Sequence, residues 1–252
     1  GRAARTVRKV GAAAWHAADI DAAIQVFPHD RKLPALAAAL VAPPRELLNT
    51  LFGAEAPPDC RIGMLRYRAG LSGTLRYAFG DHRVYAKVYA DDQGVATARF
   101  LRLLTAALPS GLGTVRPLLV LPDARMLVLD QARGECYEDL LASPAAPALT
   151  RQVARALAAF HHVPVARHPE LLAASRRHTR ADELANIARA RDHIAWCCPE
   201  LADRVVALAT EIAGQLPEFP AMLTHRDMKV DHVFLDGGTV NLIDMNSCAL
   251  SD

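Results

Sequence analysis

The 252-residue chain carries 29 basic and 27 acidic residues mixed along its length, for a net charge of +2. Apolar residues make up 52% of the sequence, which is enough for a sizeable core and excludes a disordered or fibrous protein. The balanced charge gives no electrostatic reason to expect nucleic acid or a membrane surface as a partner. The five cysteines lack metal-ligand spacing, and no run approaches the ~18 apolar residues of a transmembrane helix. We therefore expect a cytoplasmic protein with reduced thiols, and its oligomeric state stays open.

Residues 1–58 are predicted to form an N-terminal helical extension. The stretch 7–24 is rich in alanine, which favours helix, and residues 33–41 and Arg45–Phe52 then show helical spacing on either side of a proline pair. No residue of this extension carries recognisable chemistry. We expect it to serve as a packing or lid element.

From Cys60 onward, the side-chain pattern repeats at every second position instead of at helical spacing, which indicates strands. Glycine-containing turns at 70–73 and 80–81 are placed to join the first three strands into an antiparallel meander. The predicted strands lie near residues 62–68, 75–79, 84–89, 115–121 and 126–130, with one helix near 94–107. Residues 59–131 should therefore form a small antiparallel sheet that carries one helix.

After Gly134, apolar residues again recur at helical spacing. Helices are predicted near residues 140–141, 151–162, 181–196 and 201–216. A short apolar run then leads into His225, and two later apolar runs flank Asp236-Gly237-Gly238, which predicts a β-hairpin. Residues 132–252 should thus be mainly helical and end in a hairpin region.

Two aspartates lie at the two ends of this hairpin region. Asp227 follows the short apolar run and precedes Lys229 by two positions, while Asp244 ends the second hairpin strand. Because a hairpin returns the chain beside its start, both carboxylates should face one site. Such a pair suits phosphoryl transfer, in which one carboxylate orients and deprotonates a hydroxyl and the other holds Mg²⁺. The alternative is that Asp227 caps a turn and Asp244 only ends a strand.

Lys87 is a third candidate. It lies in the middle of the third predicted strand, on the face opposite Val84, Ala86 and Val88, where it could reach the α- and β-phosphates of a nucleotide. The alternative is a solvated lysine. The turn at 70–73 could cover phosphates with its backbone amides, or could be a hairpin turn and no more.

The stretch from His225 to His232, together with Leu242-Ile243-Asp244, resembles the aminoglycoside phosphotransferase and choline kinase-like branch of the protein-kinase-like superfamily. With the meander that contains Lys87, the resemblance covers roughly residues 60–252. It implies an α+β, bilobal protein-kinase-like fold, with a small antiparallel-sheet N-lobe carrying one helix (59–131) and a mainly helical C-lobe with the catalytic hairpin (132–252). It also implies ATP and Mg²⁺ as cofactors, and transfer of the γ-phosphoryl group to a hydroxyl of a small metabolite or aminoglycoside-like antibiotic.

The resemblance also implies a set of site residues. They are Asp227 (base), Lys229 and His225 for catalysis; Lys87, Ser72, Gly73 and the backbone of Asp130 and Ala132 for the nucleotide; and Asp244 and His232 for the metal. His232 replaces the asparagine that is a second Mg²⁺ ligand in the family, and imidazole suits softer ions better. This histidine could bind phosphate, hydrogen-bond Asp227 or fill space.

Further departures leave a second function open. The helix near 94–107 lacks the glutamate that usually pairs with the strand lysine, and Asn246 replaces the glycine after the metal-binding aspartate. The chain also ends shortly after Asp244, where the family continues, so a C-terminal truncation is expected. His232, the missing helix glutamate and the truncation favour a catalytically impaired, pseudokinase-like nucleotide-binding or scaffold module as the alternative, whereas Asn246 argues against a protein kinase. A protein kinase is disfavoured because no GxGxxG loop is present, and the acceptor cannot be inferred.

Overall fold

The computed structural model of the chain describes residues 14–17, 22–217 and 220–251. The described residues divide into two compact units. The first contains the residues up to Ala106 together with 113–134 and 241–243. The second contains 107–112, 135–240 and the residues from Asp244 onward. Within the described part, no helix combines the length and apolar character needed to cross a membrane.

The first unit is built on a five-stranded antiparallel sheet. Its elements, in chain order, are β1 (Ala14–Ala17), β2 (Ala22–Gln25), α1 (Leu36–Val41), α2 (Arg45–Phe52), β3 (Cys60–Arg68), β4 (Ser72–Phe79), β5 (His82–Tyr89), α3 (Gln93–Ala107), β6 (Leu112–Thr114), β7 (Pro117–Leu121) and β8 (Met126–Asp130). The strand order in the large sheet is β3-β4-β5-β8-β7. The predicted meander, the helix after it and the last two strands are confirmed.

One face of this sheet is buried against the N-terminal helices. Its buried side chains belong to one cluster with the helical ones: Leu75, Tyr77, Phe79, Val84, Ala86, Val88, Met126 and Val128 from the strands, and Leu33, Leu36, Ala39 and Leu47 from the N-terminal segment. The Tyr77 hydroxyl donates a hydrogen bond to the carbonyl of Ala39 at 2.9 Å. The side chains alternate along each strand, so Lys87 lies on the opposite face, as the sequence predicts.

The N-terminal segment differs from the predicted all-helical extension. Residues 33–41 and Arg45–Phe52 do form helices. Part of the alanine-rich stretch instead forms the antiparallel pair β1 and β2, with Trp15 opposite Ile24, and residues 1–13 and 18–21 lie outside the described residues. Alanine's helix preference is a weak prior that strand pairing overrides here. The helices pack into the sheet's own core, so this segment is part of the first unit.

Gly73 on β4 is required by close packing. A Cβ atom at this position would lie 2.7 Å from Cδ1 of Leu36, and Leu36 is fully buried. Gly73 pairs with Tyr67 on one side and Val88 on the other, so it is an interior strand residue. Helix α1 therefore sits against the backbone of β4 at this point.

The second unit is mainly helical, with short strands. Its elements are β9 (Glu135–Cys136), α4 (Tyr137–Leu140), α5 (Ala146–His161), α6 (Pro169–Ala174), β10 (Arg176–His178), α7 (Arg180–Cys197), α8 (Ala202–Gln215), β11 (Met222–Thr224), β12 (Val233–Asp236), β13 (Thr239–Leu242) and β14 (Ala249–Ser251), of which β13 has its last two residues in the first unit. The four predicted helices and the predicted hairpin are confirmed. The sequence did not reveal the helix α6 or the strands β9, β10 and β14. The strands have only two or three residues, too few for a periodic pattern to be detected.

The short strands of the second unit lie on either side of the loop from His225 to Lys229 in the chain. β14 pairs in parallel with β10 and antiparallel with β11. β12 pairs with β9, and the turn between β12 and β13 has Gly237 at φ 56°, a conformation that favours glycine. Helix α7 begins at a capping box in which the backbone N–H of Thr179 donates to Asp182 Oδ2 at 2.8 Å.

We expect Gly73→Ala to lower the free energy of unfolding by about 1–3 kcal/mol, the usual range for overpacking a core. The added methyl group would force Leu36 to move, and its surroundings are fully packed. Urea denaturation followed by circular dichroism measures the change.

Gly214→Ala is the matched control. Gly214 lies in α8, and a Cβ atom added there would meet no atom within 4 Å. Alanine is favoured over glycine inside a helix by about 0.8–1.0 kcal/mol, so this variant should be at least as stable as the wild type. Wild-type stability of Gly73→Ala would contradict the assigned packing role of Leu36.

Candidate active site

The loop from His225 to Lys229 connects β11 to a 3-10 turn at Val230–His232, from which β12 begins. The His225 side chain is 3% exposed, and its Nδ1 lies 3.4 Å from the backbone N–H of Asp227. The rings of His225 and His232 are 5.9 Å apart, and both are buried. His225 therefore packs under the loop and contacts its backbone, and its catalytic role stays a prediction.

Two residues of the site have left-handed backbone. Arg226 has φ 63° and Asp244 has φ 59°, and the described chain has one other such non-glycine residue, Arg125. This conformation costs of order 1–3 kcal/mol for a residue with a side chain, and such residues concentrate at functional sites. The conformation at Arg226 directly precedes Asp227, and that at Asp244 turns the chain from β13 into a 3-10 turn.

The side chain of Arg226 anchors the loop to the start of α7. Its Nη2 lies 3.0 Å from His178 Nε2, which is also 2.8 Å from Glu183 Oε2. Because one ring nitrogen cannot accept from Arg226 and donate to Glu183 at once, only one of these contacts is a hydrogen bond in any one state. The hydrogen bond from His178 holds the pKa of the Glu183 carboxyl below its ordinary value. Sequence reasoning missed this anchor, since His178 and Glu183 carry no motif.

Asp227 forms an ion pair with Lys229. The Lys229 ammonium lies 3.1 Å from Oδ2 and 3.0 Å from Oδ1 of the carboxylate. The hydrogen bond from Lys229 is the largest influence on the carboxyl and lowers its pKa, although partial burial opposes this. The Asp227 side chain is 40% exposed, so an ionised, accessible carboxylate is present at neutral pH.

His232 donates a hydrogen bond to the backbone of the catalytic loop. Its Nδ1 lies 2.8 Å from the carbonyl oxygen of Asp227. A carbonyl can only accept, so Nδ1 carries the hydrogen and Nε2 of the neutral ring presents a lone pair. This nitrogen lies 3.9 Å from Asp244 Oδ2 and 3.9 Å from Asp231 Oδ1. Of the roles left open for His232, the hydrogen bond to Asp227 is present, through the backbone and not the carboxylate.

Asp227, His232 and Asp244 form a group that could hold a metal ion. Each offers one ligand atom, and these atoms all lie within 4.8 Å of one another. The carboxylate oxygens fit Mg²⁺, whereas a ring nitrogen fits Mn²⁺ and other transition ions better. A metal-binding histidine usually donates its other N–H to a carbonyl or carboxylate, and His232 does so. The group therefore fits a divalent cation, with a nitrogen ligand that Mg²⁺ does not prefer.

Two of the nucleotide candidates on the first unit, Ser72 and Lys87, share one face of the large sheet. Lys87 stands directly opposite Thr74 in the register, and Ser72 stands opposite Tyr89. Side chains of Ser72, Thr74 and Lys87 therefore belong to the same face, because every second residue of a strand does. Thr74 was not predicted; the alternation from Ser72 could have found it.

Two backbone amides of the glycine turn have partners within the unit, and the predicted phosphate role of the turn stays a prediction. The N–H of Gly70 donates to Asp30 Oδ2 at 2.6 Å, and that of Leu71 donates to the carbonyl of Arg68 at 2.9 Å. These amides already have partners within the unit. Gly73 belongs to the opposite sheet face, where its lack of a side chain accommodates Leu36.

Asp130 ends β8, where the sequence predicts the adenine-binding hinge. Its N–H donates to the carbonyl of Arg116, and its carboxylate accepts from Arg116 Nη2 and from the N–H of Gln131, all at 2.9 Å. Its side chain alternates with Leu129 and so belongs to the face opposite Lys87. A nucleotide role for the backbone of Asp130 and Ala132 stays a prediction.

Comparison with known proteins decides the family. The model of the family named APH, phosphotransferase enzyme family, matches residues 65–252. The chain belongs to the phosphotransferase enzyme family. None of the curated sequences compared with this phosphotransferase matches it. The predicted relationship to aminoglycoside phosphotransferases is confirmed.

Several solved structures share the fold of this phosphotransferase. The GDP complex of wild-type aminoglycoside 2'-phosphotransferase-IIIa superposes with a TM-score of 0.62 at 14% identity, covering 82% of this chain and 73% of that one. Macrolide 2'-phosphotransferase type I gives 0.58 at 17% identity, covering 82% and 71%. A thermostable mutant of aminoglycoside phosphotransferase APH(4)-Ia, in complex with ADP and hygromycin B, gives 0.55 at 15% identity, covering 82% and 72%. The predicted kinase-like α+β fold is confirmed, and the protein is a small-molecule kinase by family.

Proposed function

We propose that this phosphotransferase transfers the γ-phosphoryl group of ATP to a hydroxyl of a small molecule, with a divalent cation as cofactor. The observation that carries the proposal is the ionised, accessible carboxylate of Asp227 grouped with Asp244 and His232. Family membership supports the reaction class. Structures with ADP, with AMP-PNP and with hygromycin B among its neighbours support a nucleotide and a hydroxylated acceptor.

Asp227 is the base in the proposed reaction. Its carboxylate accepts the proton of the acceptor hydroxyl as the hydroxyl oxygen attacks the γ-phosphorus. The new oxygen–phosphorus bond forms while the bond from the γ-phosphorus to the bridging oxygen breaks, and ADP leaves with that electron pair. Lys229, which touches Asp227, places a positive charge beside the transferred group.

Asp244 and His232 are proposed as cation ligands. A bound divalent cation would neutralise charge on the nucleotide phosphates. Asp244 supplies a carboxylate oxygen from its left-handed turn, and His232 supplies the Nε2 lone pair that its hydrogen bond to Asp227 fixes. Lys87 is proposed to bind nucleotide phosphates from the sheet face that it shares with Ser72 and Thr74.

The acceptor class is proposed from the names of the neighbours. Those proteins are named as phosphotransferases of macrolides, aminoglycosides and spectinomycin, which are all hydroxylated antibiotics. A panel of such compounds and of hydroxylated metabolites, each with labelled ATP and with labelled GTP, would identify the acceptor. Turnover with none of them, despite nucleotide binding, would favour the pseudokinase-like alternative.

Replacing the base tests the proposal directly. Asp227→Ala should reduce turnover by about 10²–10⁴-fold, the usual contribution of a general base, while AMP-PNP still stabilises the protein in a thermal-shift assay. Asp236→Asn is the matched control, because Asp236 is an exposed carboxylate at the hairpin turn of the same unit. Undiminished turnover in Asp227→Ala would refute the assignment.

Removing the lysine partner should shift the pH profile. The hydrogen bond from Lys229 lowers the pKa of Asp227, so Lys229→Met raises that pKa. The base acts only when ionised, so the acid limb of kcat/KM should move to higher pH, whatever the change in maximal rate. Lys229→Arg keeps the charge and should keep the limb near its wild-type position. An unmoved limb in Lys229→Met would mean that another group sets it.

His232→Asn tests the nitrogen ligand by restoring the residue usual in the family. We expect the ratio of Mn²⁺ to Mg²⁺ affinity to be lower in the variant, because an amide oxygen suits Mg²⁺ better than an imidazole nitrogen does. Loss of the free Mn²⁺ signal in electron paramagnetic resonance, with Mg²⁺ as competitor and AMP-PNP present, measures the ratio without turnover. Equal ratios would exclude His232 as a ligand.

A further inference from the structure

Asp30 is a buried carboxylate in the segment between β2 and α1. Its side chain is not part of the family match and is 8% exposed. Three donors surround it: the N–H of Gly70 at 2.6 Å and the hydroxyl of Tyr67 at 3.0 Å, both to Oδ2, and the N–H of Lys32 at 2.8 Å to Oδ1. Two of these donors belong to a region 37 and 40 residues further along the chain.

These two distant donors bracket one turn. Tyr67 is near the end of β3, and Gly70 lies in the three-residue connection from β3 to β4. Gly70 has φ +67°, a conformation strained for any residue with a side chain. The carboxylate of Asp30 therefore binds the backbone of the turn at the point where its conformation is most specialised.

The carboxylate of Asp30 is ionised. Burial is the largest single influence and would raise its pKa, but the hydrogen bonds from Gly70, Lys32 and Tyr67 together hold the pKa below the ordinary value. Hydrogen bonds to a charged acceptor are roughly twice as strong as neutral ones. A buried charge with three donors is a strong tether between the N-terminal segment and the turn.

The same segment also contacts the strands on both sides of the turn. The ring of Phe27 lies 5.0 Å from that of Tyr67 on β3. Leu36 packs against Gly73 on β4, where a Cβ atom would meet it at 2.7 Å. Residues 27–36 thus contact the turn and both of its strands. The first residue of β4 is Ser72, which shares a sheet face with Thr74 and Lys87.

We infer that Asp30 is a positioning residue of the nucleotide site: it holds the turn between β3 and β4 so that Ser72 and Thr74 stay in place beside Lys87. The inference rests on the proposed function, since it takes this sheet face as the one that meets the phosphates. Asp30 reaches no nucleotide itself and acts through Gly70 and Tyr67. Without the hydrogen bonds to Asp30, the turn would have to become ordered when the nucleotide binds. The loss of conformational entropy would weaken the affinity for the nucleotide.

The test compares three variants with the wild type. Asp30→Asn keeps the shape but removes the charge, and its NH₂ group replaces one of the two accepting oxygens, so at least one of the three donors loses its acceptor. Tyr67→Phe removes one donor and leaves Gly70 bonded. Asp182→Asn is the matched control, because Asp182 also accepts a backbone N–H but caps α7 in the second unit. For each, the dissociation constant of AMP-PNP is measured by calorimetry, and KM for ATP, KM for the acceptor and kcat are measured by turnover.

We expect Asp30→Asn to raise the AMP-PNP dissociation constant and the KM for ATP by about 3–10-fold, the effect of ordering one or two additional groups on binding. Tyr67→Phe should give a smaller change in the same direction. The acceptor KM and kcat should change less than twofold. Asp182→Asn should leave both nucleotide constants unchanged, whatever its thermal stability.

Wild-type nucleotide constants in Asp30→Asn would overturn the inference, even if the variant melts at a lower temperature. An equal rise in both KM values would do the same, because it would indicate general destabilisation. Should Asp30→Asn fail to fold, Tyr67→Phe decides, with an unchanged AMP-PNP constant counting against the inference. The proposed function fails separately, if the wild type binds AMP-PNP but phosphorylates no acceptor.

Discussion

The hydrogen bond from His232 Nδ1 to the carbonyl of Asp227 is the contact on which the candidate site depends. It ties the catalytic loop to the 3-10 turn that starts the hairpin, and it sets which ring nitrogen is left to face Asp244. Left-handed backbone occurs at Arg226 and Asp244, and the carboxylates of Asp227 and Asp244 both lie near this histidine. A buried imidazole thus organises a site whose reactive groups are themselves partly exposed.

In the first unit, the nucleotide candidates Ser72 and Lys87 lie on a sheet whose other face is apolar and buried. One face is closed by α1 and α2, and the resulting core fixes the strand register. Since a strand alternates its side chains, the same register that buries Ala86 and Val88 determines where Lys87 and Thr74 lie. The positions of Lys87 and Thr74 are therefore set by packing on the opposite face of the sheet.

The sequence predicted the elements whose signal is local. The limits of Arg45–Phe52 and Met126–Asp130 agree with the structure because apolar periodicity and flanking glycines or prolines mark them. Asp227 and Asp244 could be paired because a hairpin is a short-range feature. The strands at 14–25 were missed because pairing overrides alanine's helix preference. Asp30 was missed because its partners are distant in sequence, and the contact of Leu36 with Gly73 was missed because a glycine in the sequence does not indicate which side chain packs against it.

The core of the first unit also sets how far this protein can be shortened. The family match begins at residue 65, inside β3. Trimming the chain to that boundary would remove Leu33, Leu36 and Leu47 and leave the apolar side of the sheet facing water. Such a bare sheet would invite self-association, because a contiguous exposed apolar patch is an aggregation hazard. The stretch that the family model matches is therefore shorter than the stretch that builds this core.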